Sequence, residues 1–271
     1  MWVFVINLDR DRDRLSRMVS EAHRVGINFE RFVAIDGNRL DVDLRDQFYL
    51  GSDPHEKAFT PGEIGCYASH LRIHRLLEDR AGEYALILED DVRLDDDLVP
   101  TIEAAVACAR DWDIIRLSNS PKSAVLPVAP LGNGRELVRF WTVPNGTGAY
   151  LISRTGAIKF SEGYARRTLP IDEDLRRPWR SGLNMYGIVP PPVEPDVLEI
   201  SQIDTMGRDR SLAARARFRD AAPYRDFAGK QRYRLEAFGS VGFARAFFRS
   251  AIASLVKRVR GRAAAERYYR L

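Results

Sequence analysis

The sequence predicts an α/β protein organised on a parallel sheet, and three observations carry that prediction. The chain opens β–α–β, a unit that sets its two strands parallel. Helix and strand patterns then alternate again between residues 60 and 117. The 271 residues are 45% hydrophobic and 30% charged, the balance of a soluble globular protein of one to two domains. That composition excludes a wholly disordered chain, a collagen and a polytopic membrane protein, and no apolar run approaches the ~20 residues of a membrane span.

The elements follow in order. Trp2 to Asn7 (WVFVIN) is a short β-rich run, read as a buried strand. Leu15, Met18, Val19 and Ala22 mark a helix that Gly26 stops. Phe29 to Ile35 alternates apolar and polar as a half-buried strand does, and Asp36-Gly37 turns the chain. Residues 41–58 are polar without a clear period. Thr60-Pro61-Gly62-Glu63 reads as a helix start, with Thr60 as N-cap, Pro61 at the first helical position and Glu63 closing a capping box. Ala85 to Leu88 is a second buried strand, ending in Glu89-Asp90-Asp91. Residues 95–109 read as helix, with Asp95-Asp96-Asp97 at its dipole-favoured start. Trp112 to Leu117 reads as strand, residues 118–140 as loop, Thr147 to Ser153 as strand, Arg154 to Phe160 as helix and Pro170 to Trp179 as irregular chain. The prolines at 190–192 and 195 end the compact body, which gives a domain over 1–200 and an extension over 201–271.

The net charge of +4 conceals an asymmetry. Residues 208–271 hold 17 Lys+Arg against 5 Asp+Glu, which leaves 25 against 33 in residues 1–207. An acidic body thus carries a basic tail. The two cysteines, Cys66 and Cys108, lack metal-ligand spacing and read as reduced core residues. The apolar start is too short for a signal peptide, and charge follows it instead of preceding it, so the expectation is a cytoplasmic chain starting at Met1.

Glu89-Asp90-Asp91 is the sharpest chemical feature. It lies at the carboxyl end of a strand, where open α/β sheets bind ligands. Strand periodicity puts Glu89 and Asp91 on one face and Asp90 on the other. Adjacent carboxylates repel, so without a cation at least one has a raised pKa. Mg²⁺ or Mn²⁺, with oxygen ligands and a shell completed by substrate phosphates, relieves the conflict. Taken alone, the triplet reads more readily as a solvated acidic loop or as an N-cap cluster for the following helix, since acidic triplets are common.

Five stretches, in order, change that balance: VINLDRDRDRLSRM (Val5–Met18), FTPGEIGCYASHLRIHRLL (Phe59–Leu77), YALILEDDV (Tyr84–Val92), GTGAYLISRTGA (Gly146–Ala157) and PIDEDL (Pro170–Leu175). Together they resemble glycosyltransferase family 25, over roughly residues 1–195. That family includes bacterial lipooligosaccharide and lipopolysaccharide glycosyltransferases and the transferase domains of collagen-modifying enzymes. The resemblance implies a GT-A-like, Rossmann-type mixed sheet flanked by helices. It also implies a nucleotide-sugar donor such as a UDP-sugar, Mn²⁺ (or Mg²⁺), and inversion at the anomeric carbon. Carried over by residue, Glu89, Asp90 and Asp91 match the acidic metal and diphosphate motif, and Asn7, Leu8 and Asp9 match the first-strand segment of the nucleotide pocket. Pro61, Gly62, Glu63, Gly65, Ser69 and His70 match the second block. The chain departs from the family pattern at Gly148 and at Glu173, so the sugar is not transferred with the resemblance.

Sugar transfer loads negative charge onto the leaving diphosphate. A metal held by Asp91 with Glu89 offsets that charge, and Arg10 or Arg14 can assist as bidentate phosphate partners. The acceptor hydroxyl needs a base on the opposite side; Asp172 is the first candidate and Glu63 the second. His70 is a candidate donor to substrate or a buried packing residue. His70 and His74, i and i+4 on one helix, have no apparent third ligand and are not expected to bind metal. Asn145-Gly146-Thr147 matches a glycosylation acceptor, but in a cytoplasmic protein its glycine reads instead as a place where backbone approaches substrate.

In the tail, Val241, Ala244, Phe248, Ile252, Leu255 and Val259 follow helical spacing, with Phe247, Ala251 and Val256 widening the stripe. Arg245, Arg249, Lys257, Arg258, Arg260 and Arg262 supply a cationic flank. Two readings stand: a helix lying on an anionic membrane surface, or one packed on its own domain. Nucleic-acid binding is not expected, since the body is acidic and no recognition motif occurs. The expected function is an inverting transferase acting on a glycolipid or oligosaccharide acceptor of the lipopolysaccharide type, peripheral at the inner face of the plasma membrane. The alternatives are a metal-dependent nucleotidyl or phosphoryl transferase, which would have to work without a P-loop, and a non-catalytic nucleotide-sugar-binding protein.

Overall fold

A computed structural model describes residues 1–48, 59–80, 82–164, 166–196, 223–261, 265 and 268–271. Its centre is an eight-stranded mixed sheet. The strands are β1 (Trp2–Asn7), β2 (Glu30–Val33), β3 (Tyr84–Glu89), β5 (Ile114–Arg116), β6 (Val125–Gly132), β7 (Arg135–Phe140), β8 (Ala149–Ser153) and β9 (Met185–Val189), in the order β2-β1-β3-β8-β5-β9-β7-β6. β1 runs parallel to both β2 and β3, as the β–α–β opening requires. β8 is antiparallel to β3 and β5, and β7 is antiparallel to β9 and β6. Two short strands, β4 (Val92–Leu94) and β10 (Val193–Pro195), pair separately.

Helices cover both faces of the sheet. On one side α3 (Pro61–Asp79), α5 (Arg154–Glu162) and α6 (Ile171–Leu175) bury Tyr67, Leu71, Phe160 and Leu175 against Phe4, Ile6, Ile87 and Ile152. On the other, α1 (Arg12–Arg24) and α4 (Leu98–Cys108) bury Met18, Leu98 and Ile102 against Val3, Val5, Leu86 and Leu88. Alternate residues of β1 and β3 therefore serve different cores, the period-two rule of a strand buried on both faces. A one-turn helix, α2 (Val42–Arg45), lies in the polar stretch after β2.

The α3 start is built as its sequence dictates. The Thr60 hydroxyl accepts from the Glu63 N–H at 3.2 Å, and the Glu63 carboxylate accepts from the Thr60 N–H at 2.9 Å, with Pro61 at the first turn. Two glycines then bring this helix against the chain after β2. A Cβ on Gly37 would lie 1.9 Å from the Pro61 carbonyl oxygen, and one on Gly65 would lie 2.4 Å from that of Ile35.

Two sequence expectations need correction, and two features were not expected. Residues 118–140 are not loop: β6 and β7 form a hairpin closed by Asn133-Gly134, both at positive φ (48° and 74°). Such a two-residue turn matches strand twist. The prolines that suggested loop sit on the edge strand, where the register shifts around Pro127 and Pro130 and no ladder donor is lost. Residues 170–179 hold α6 and the start of α7 (Pro178–Ser181). Strand β9 carried no expectation at all. Asp95-Asp96-Asp97 precedes α4 without a side-chain cap bond; Asp95 and Asp97 instead pair with Arg135 of β7.

The final helix, α8 (Pro223–Arg260), breaks at Gly239, whose φ of 65° is left-handed. It docks on the body on both sides of that break. Phe238 and Phe243 pack on Trp141, Arg234 Nε donates to the Trp141 carbonyl at 2.9 Å, and Asp226 accepts from Trp179 and Arg180. Beyond α8, residues 269–271 add backbone bonds to Val125 at the β6 edge. The start of the 201–271 extension, residues 201–222, and Arg262 lie outside the described residues.

Candidate active site

A cleft of about 430 Å³ opens at the carboxyl ends of β1, β2 and β3. Leu8, Asp9, Arg10 and Arg14 form the β1–α1 wall; Ile35 to Asn38 follow β2; Pro61, Gly65, Cys66 and His70 come from the first turns of α3; and Glu89, Asp90 and Asp91 close the floor. Parallel strands direct these loops to one edge, and the close approach through Gly37 and Gly65 sets the distance between two walls. Ser69 strengthens that seam, accepting from the Ile35 N–H at 2.9 Å and donating to the Gly65 carbonyl at 2.7 Å.

The three acidic residues part company where the strand ends. Glu89 is the last residue of β3; Asp90 and Asp91 are in the turn, so strand periodicity no longer governs them. Glu89 faces α3. Its Oε1 accepts from the Thr147 hydroxyl and lies 3.5 Å from His70 Nε2 and 3.9 Å from Cys66 Sγ. Asp90 faces α1, accepting from Asn7 Nδ2 at 2.7 Å and Arg14 Nη1 at 3.2 Å. Asp91 also reaches that side, 3.9 Å from Arg14, yet Glu89 is the charge it feels most, so the two carboxylates still meet in the cleft.

The electrostatics follow from this crowding. Burial, then the charges of Glu89 and Asp90, push Asp91 up to about 7, the raised carboxylate the sequence led us to expect. Burial also raises Asp90 against the opposing pull of Asn7 and Arg14. For Glu89 burial works against the charged form, but His70, Thr147 and Arg116 outweigh it and the net direction is down. The residues therefore fit a dication: three carboxylate groups whose repulsion an ion would relieve, and a buried His70 Nε2 with no closer partner than Glu89. Cys66, His70 and Glu89 also present ligand atoms within 4.8 Å of one another, so Glu89 belongs to two potential donor sets.

One short segment braces the site from the far side. Asn145 Nδ2 donates to Asp172 at 2.8 Å, the Gly146 carbonyl accepts from Arg116, and Thr147 donates to Glu89. Gly146 has a φ of 93°, and a Cβ there would stand 2.5 Å from Asn119 Nδ2, so this position requires glycine. Arg116 is fully buried, its Nε and Nη1 without hydrogen bonds, and burial pulls its guanidinium down to about 10. Tyr150 joins the same face, its hydroxyl 2.8 Å from His70 Nδ1 and 2.9 Å from His74 Nε2.

Of the residues singled out in the sequence, Leu8, Asp9, Arg10, Arg14, His70, Glu89, Asp90 and Asp91 all line the cleft. Asn7 is buried beneath it; its Nδ2 holds Asp90 while its Oδ1 accepts from Arg31 at 3.0 Å. Asp172, on α6, stands beside the cleft, where its charge is felt by Cys66 and Arg116. Glu63 is buried with its carboxylate engaged in the helix cap, and it does not line the cleft. The sequence reading did not assign Cys66, Arg116, Asn145, Thr147 and Tyr150 to the site. Strand alternation would have placed Arg116 and Tyr150 on the face of Glu89; nothing local marks Asn145 or Thr147. Gly148, one of the two departures, leaves room for no larger side chain unless Val92 shifts, since a Cβ would sit 3.1 Å from it.

The fold and the cleft define an α/β protein with a polar ligand site at a parallel-strand edge, and the comparisons make that class specific. The model of glycosyltransferase family 25 (LPS biosynthesis protein) matches residues 1–175, and this chain belongs to that family. A glycosyltransferase 25 family member of Aedes aegypti is 33% identical over 193 residues, 63% of this chain and 30% of that protein. Human procollagen galactosyltransferase 2 is 30% identical over 188 residues, 64% of this chain and 29% of the relative. The chain thus spans less than a third of these relatives' length. Among solved structures, a Drosophila β1,4-galactosyltransferase 7 in complex with manganese, UDP-galactose and xylobiose aligns with a TM-score of 0.38 and 11% identity, covering 81% of this chain and 80% of the other.

Proposed function

We propose that this protein transfers a sugar, with inversion, from a UDP-sugar to a hydroxyl of a glycolipid or oligosaccharide of the lipopolysaccharide type. The observation that carries the reading is the convergence on one cleft of Arg10 and Arg14 with Glu89, Asp90 and Asp91. Cations and metal-binding carboxylates side by side suit a nucleoside diphosphate. Family membership supports transfer, and the family's description supports the acceptor class. Mn²⁺ or Mg²⁺ would be held by Asp91 with Glu89, and when bound it supplies Lewis-acid compensation of the diphosphate charge.

The protein's own groups do the rest. Arg10 and Arg14 orient the diphosphate and stabilise the charge it gains as the sugar–phosphate bond breaks. Asn7 and Arg14 keep Asp90 in place. Asp172, oriented by Asn145 and by the Glu173 N–H at 2.9 Å, takes the proton of the acceptor hydroxyl as its oxygen attacks the anomeric carbon. Inversion follows because attack and departure occupy opposite sides.

A second acceptor reading has its own support: relatives at about 30% identity are named procollagen galactosyltransferases. One experiment separates the two. Purified protein with Mn²⁺ and a panel of UDP-sugars is assayed for UDP release with a lipooligosaccharide acceptor, with a procollagen peptide, and with neither. Release only with the glycolipid is expected; release only with the peptide would transfer the reading to the collagen class. Triphosphate hydrolysis in place of UDP release would favour a phosphoryl transferase, and donor binding without turnover a binding protein. Asp91→Asn should lower turnover on the order of 10³-fold. It should also raise the melting temperature above pH 7, because it removes a repelled buried charge.

A further inference from the structure

The second half of α8 is packed the wrong way round for a helix that belongs only to its own domain. Its small residues face the body: Ala246 is 0% exposed against Trp141 and Phe238, and Ala253 is 3% exposed against Ala265 and Tyr269. Phe243 and Val256 are partly buried beside them, but the other bulky residues face out, with Val241, Phe248, Ile252, Leu255 and Val259 between 45% and 74% exposed and Phe247 at 54%. The spacing 241, 248, 252, 255, 259 puts them on one stripe of the helix. At 100° per residue, Arg245 and Arg249 border the stripe on one side and Arg258 on the other. Arg249 also donates to the Tyr268 carbonyl at 3.4 Å. No acidic residue occurs between 237 and 259.

We propose that residues 241–259 form an interfacial arm that seats on an anionic phospholipid bilayer. Phe248, Ile252 and Leu255 enter the headgroup–acyl boundary, and Arg245 and Arg258 meet the lipid phosphates. No helix among the described residues is long and apolar enough to cross a membrane, so the arm lies on the surface without spanning it. Charge selects the occupant. A second copy of this chain would set two all-cationic arms against each other, which repel, whereas an anionic leaflet attracts every one of these side chains. The stripe lies wholly beyond the break at Gly239, and Phe243 and Ala246 on the opposite side of the same segment hold it to Trp141.

The test uses the full chain and vesicles of phosphatidylcholine with or without phosphatidylglycerol. The protein should sediment with the anionic vesicles, and added salt should weaken the binding. A triple variant, Phe248→Ser, Ile252→Ser and Leu255→Ser, should lose on the order of tenfold or more in partitioning while melting as the parent does. In a separate protein, Ile252→Trp, the emission should shift to the blue on anionic vesicles only. That variant decides the question by itself if the triple variant fails to fold. A parent that stays in the supernatant with every vesicle would overturn the proposal, as would unshifted emission from the Ile252→Trp protein. A dimer in light scattering that the triple variant dissolves, with no vesicle binding, would assign the stripe to self-association. These readouts need neither donor nor acceptor, so their failure is separable from failure of the transferase reading.

Discussion

The two ends of the sheet are built on different principles. At the β2-β1-β3 end, strands are parallel, neighbouring in sequence or joined by helices, and their loops converge on a polar cleft. At the β9-β7-β6 end, strands are antiparallel, the edge is a proline-bearing hairpin, and closure comes from a helix more than 80 residues away in the chain. The first end spends its loops on chemistry and takes its rigidity from glycine-mediated contact. The second is fastened by aromatic and cationic packing around Trp141. Function and stability should therefore respond separately to mutations at the two ends.

The largest expected effect lies at the second end. Trp141→Ala removes the ring on which Phe238, Phe243 and Arg234 pack, and should destabilise by about 3–5 kcal/mol in urea unfolding without changing nucleotide-sugar affinity. Loss of affinity in that variant would break the division. Gly65→Ala, at the first end, should cost about 3 kcal/mol and also weaken donor binding measured by calorimetry, because the new methyl meets the Ile35 carbonyl oxygen. An intermediate case sharpens the comparison. Asp174, buried under α6 and hydrogen-bonded by the Tyr67 hydroxyl at 2.8 Å, is pushed up to about 7 by burial. The folded state thus holds a proton that the unfolded carboxyl releases near pH 4. Its contribution to stability is complete below about pH 4 and is lost as pH rises towards 7, with a slope of at most about 1.4 kcal/mol per pH unit. Asp174→Asn should flatten that slope in unfolding measured from pH 4 to 8; an unchanged slope would mean that Asp174 is charged throughout. The smallest effect is Thr60→Ala, about 1 kcal/mol by loss of the cap.

The same division explains what could be read in the sequence. β1, the capping box of α3, the Ala85–Leu88 core of β3 and the acidic floor all announce themselves locally, because periodicity, cap chemistry and charge clustering act over a few residues. The cleft residues Glu89, Asp90 and Asp91 are legible for that reason, whereas Asp9, Arg10 and Arg14 are reached through the resemblance of their stretch to family 25 and the transfer chemistry it implies. The hairpin was not. Pro127, Pro130 and Gly132 are loop residues by propensity, and only an edge position and a shifted register accommodate them in a sheet. Strand β9 is short and acquires its identity from β5 and β7 on either side. Within the site, Asn145, Thr147 and Arg116 were missed because their roles depend on partners 27, 58 and 30 residues away.

Ala246 and Ala253 stand seven residues apart, the first facing Trp141 and the second Ala265 and Tyr269, which gears the arm to its support like a toothed rack. Inserting one residue between them would turn everything downstream by about 100°, swinging Leu255 and Val259 off the outward side, whereas inserting seven returns the stripe to within about 20° of its starting direction. Length changes in this stretch should therefore be tolerated in whole heptads and in no smaller step.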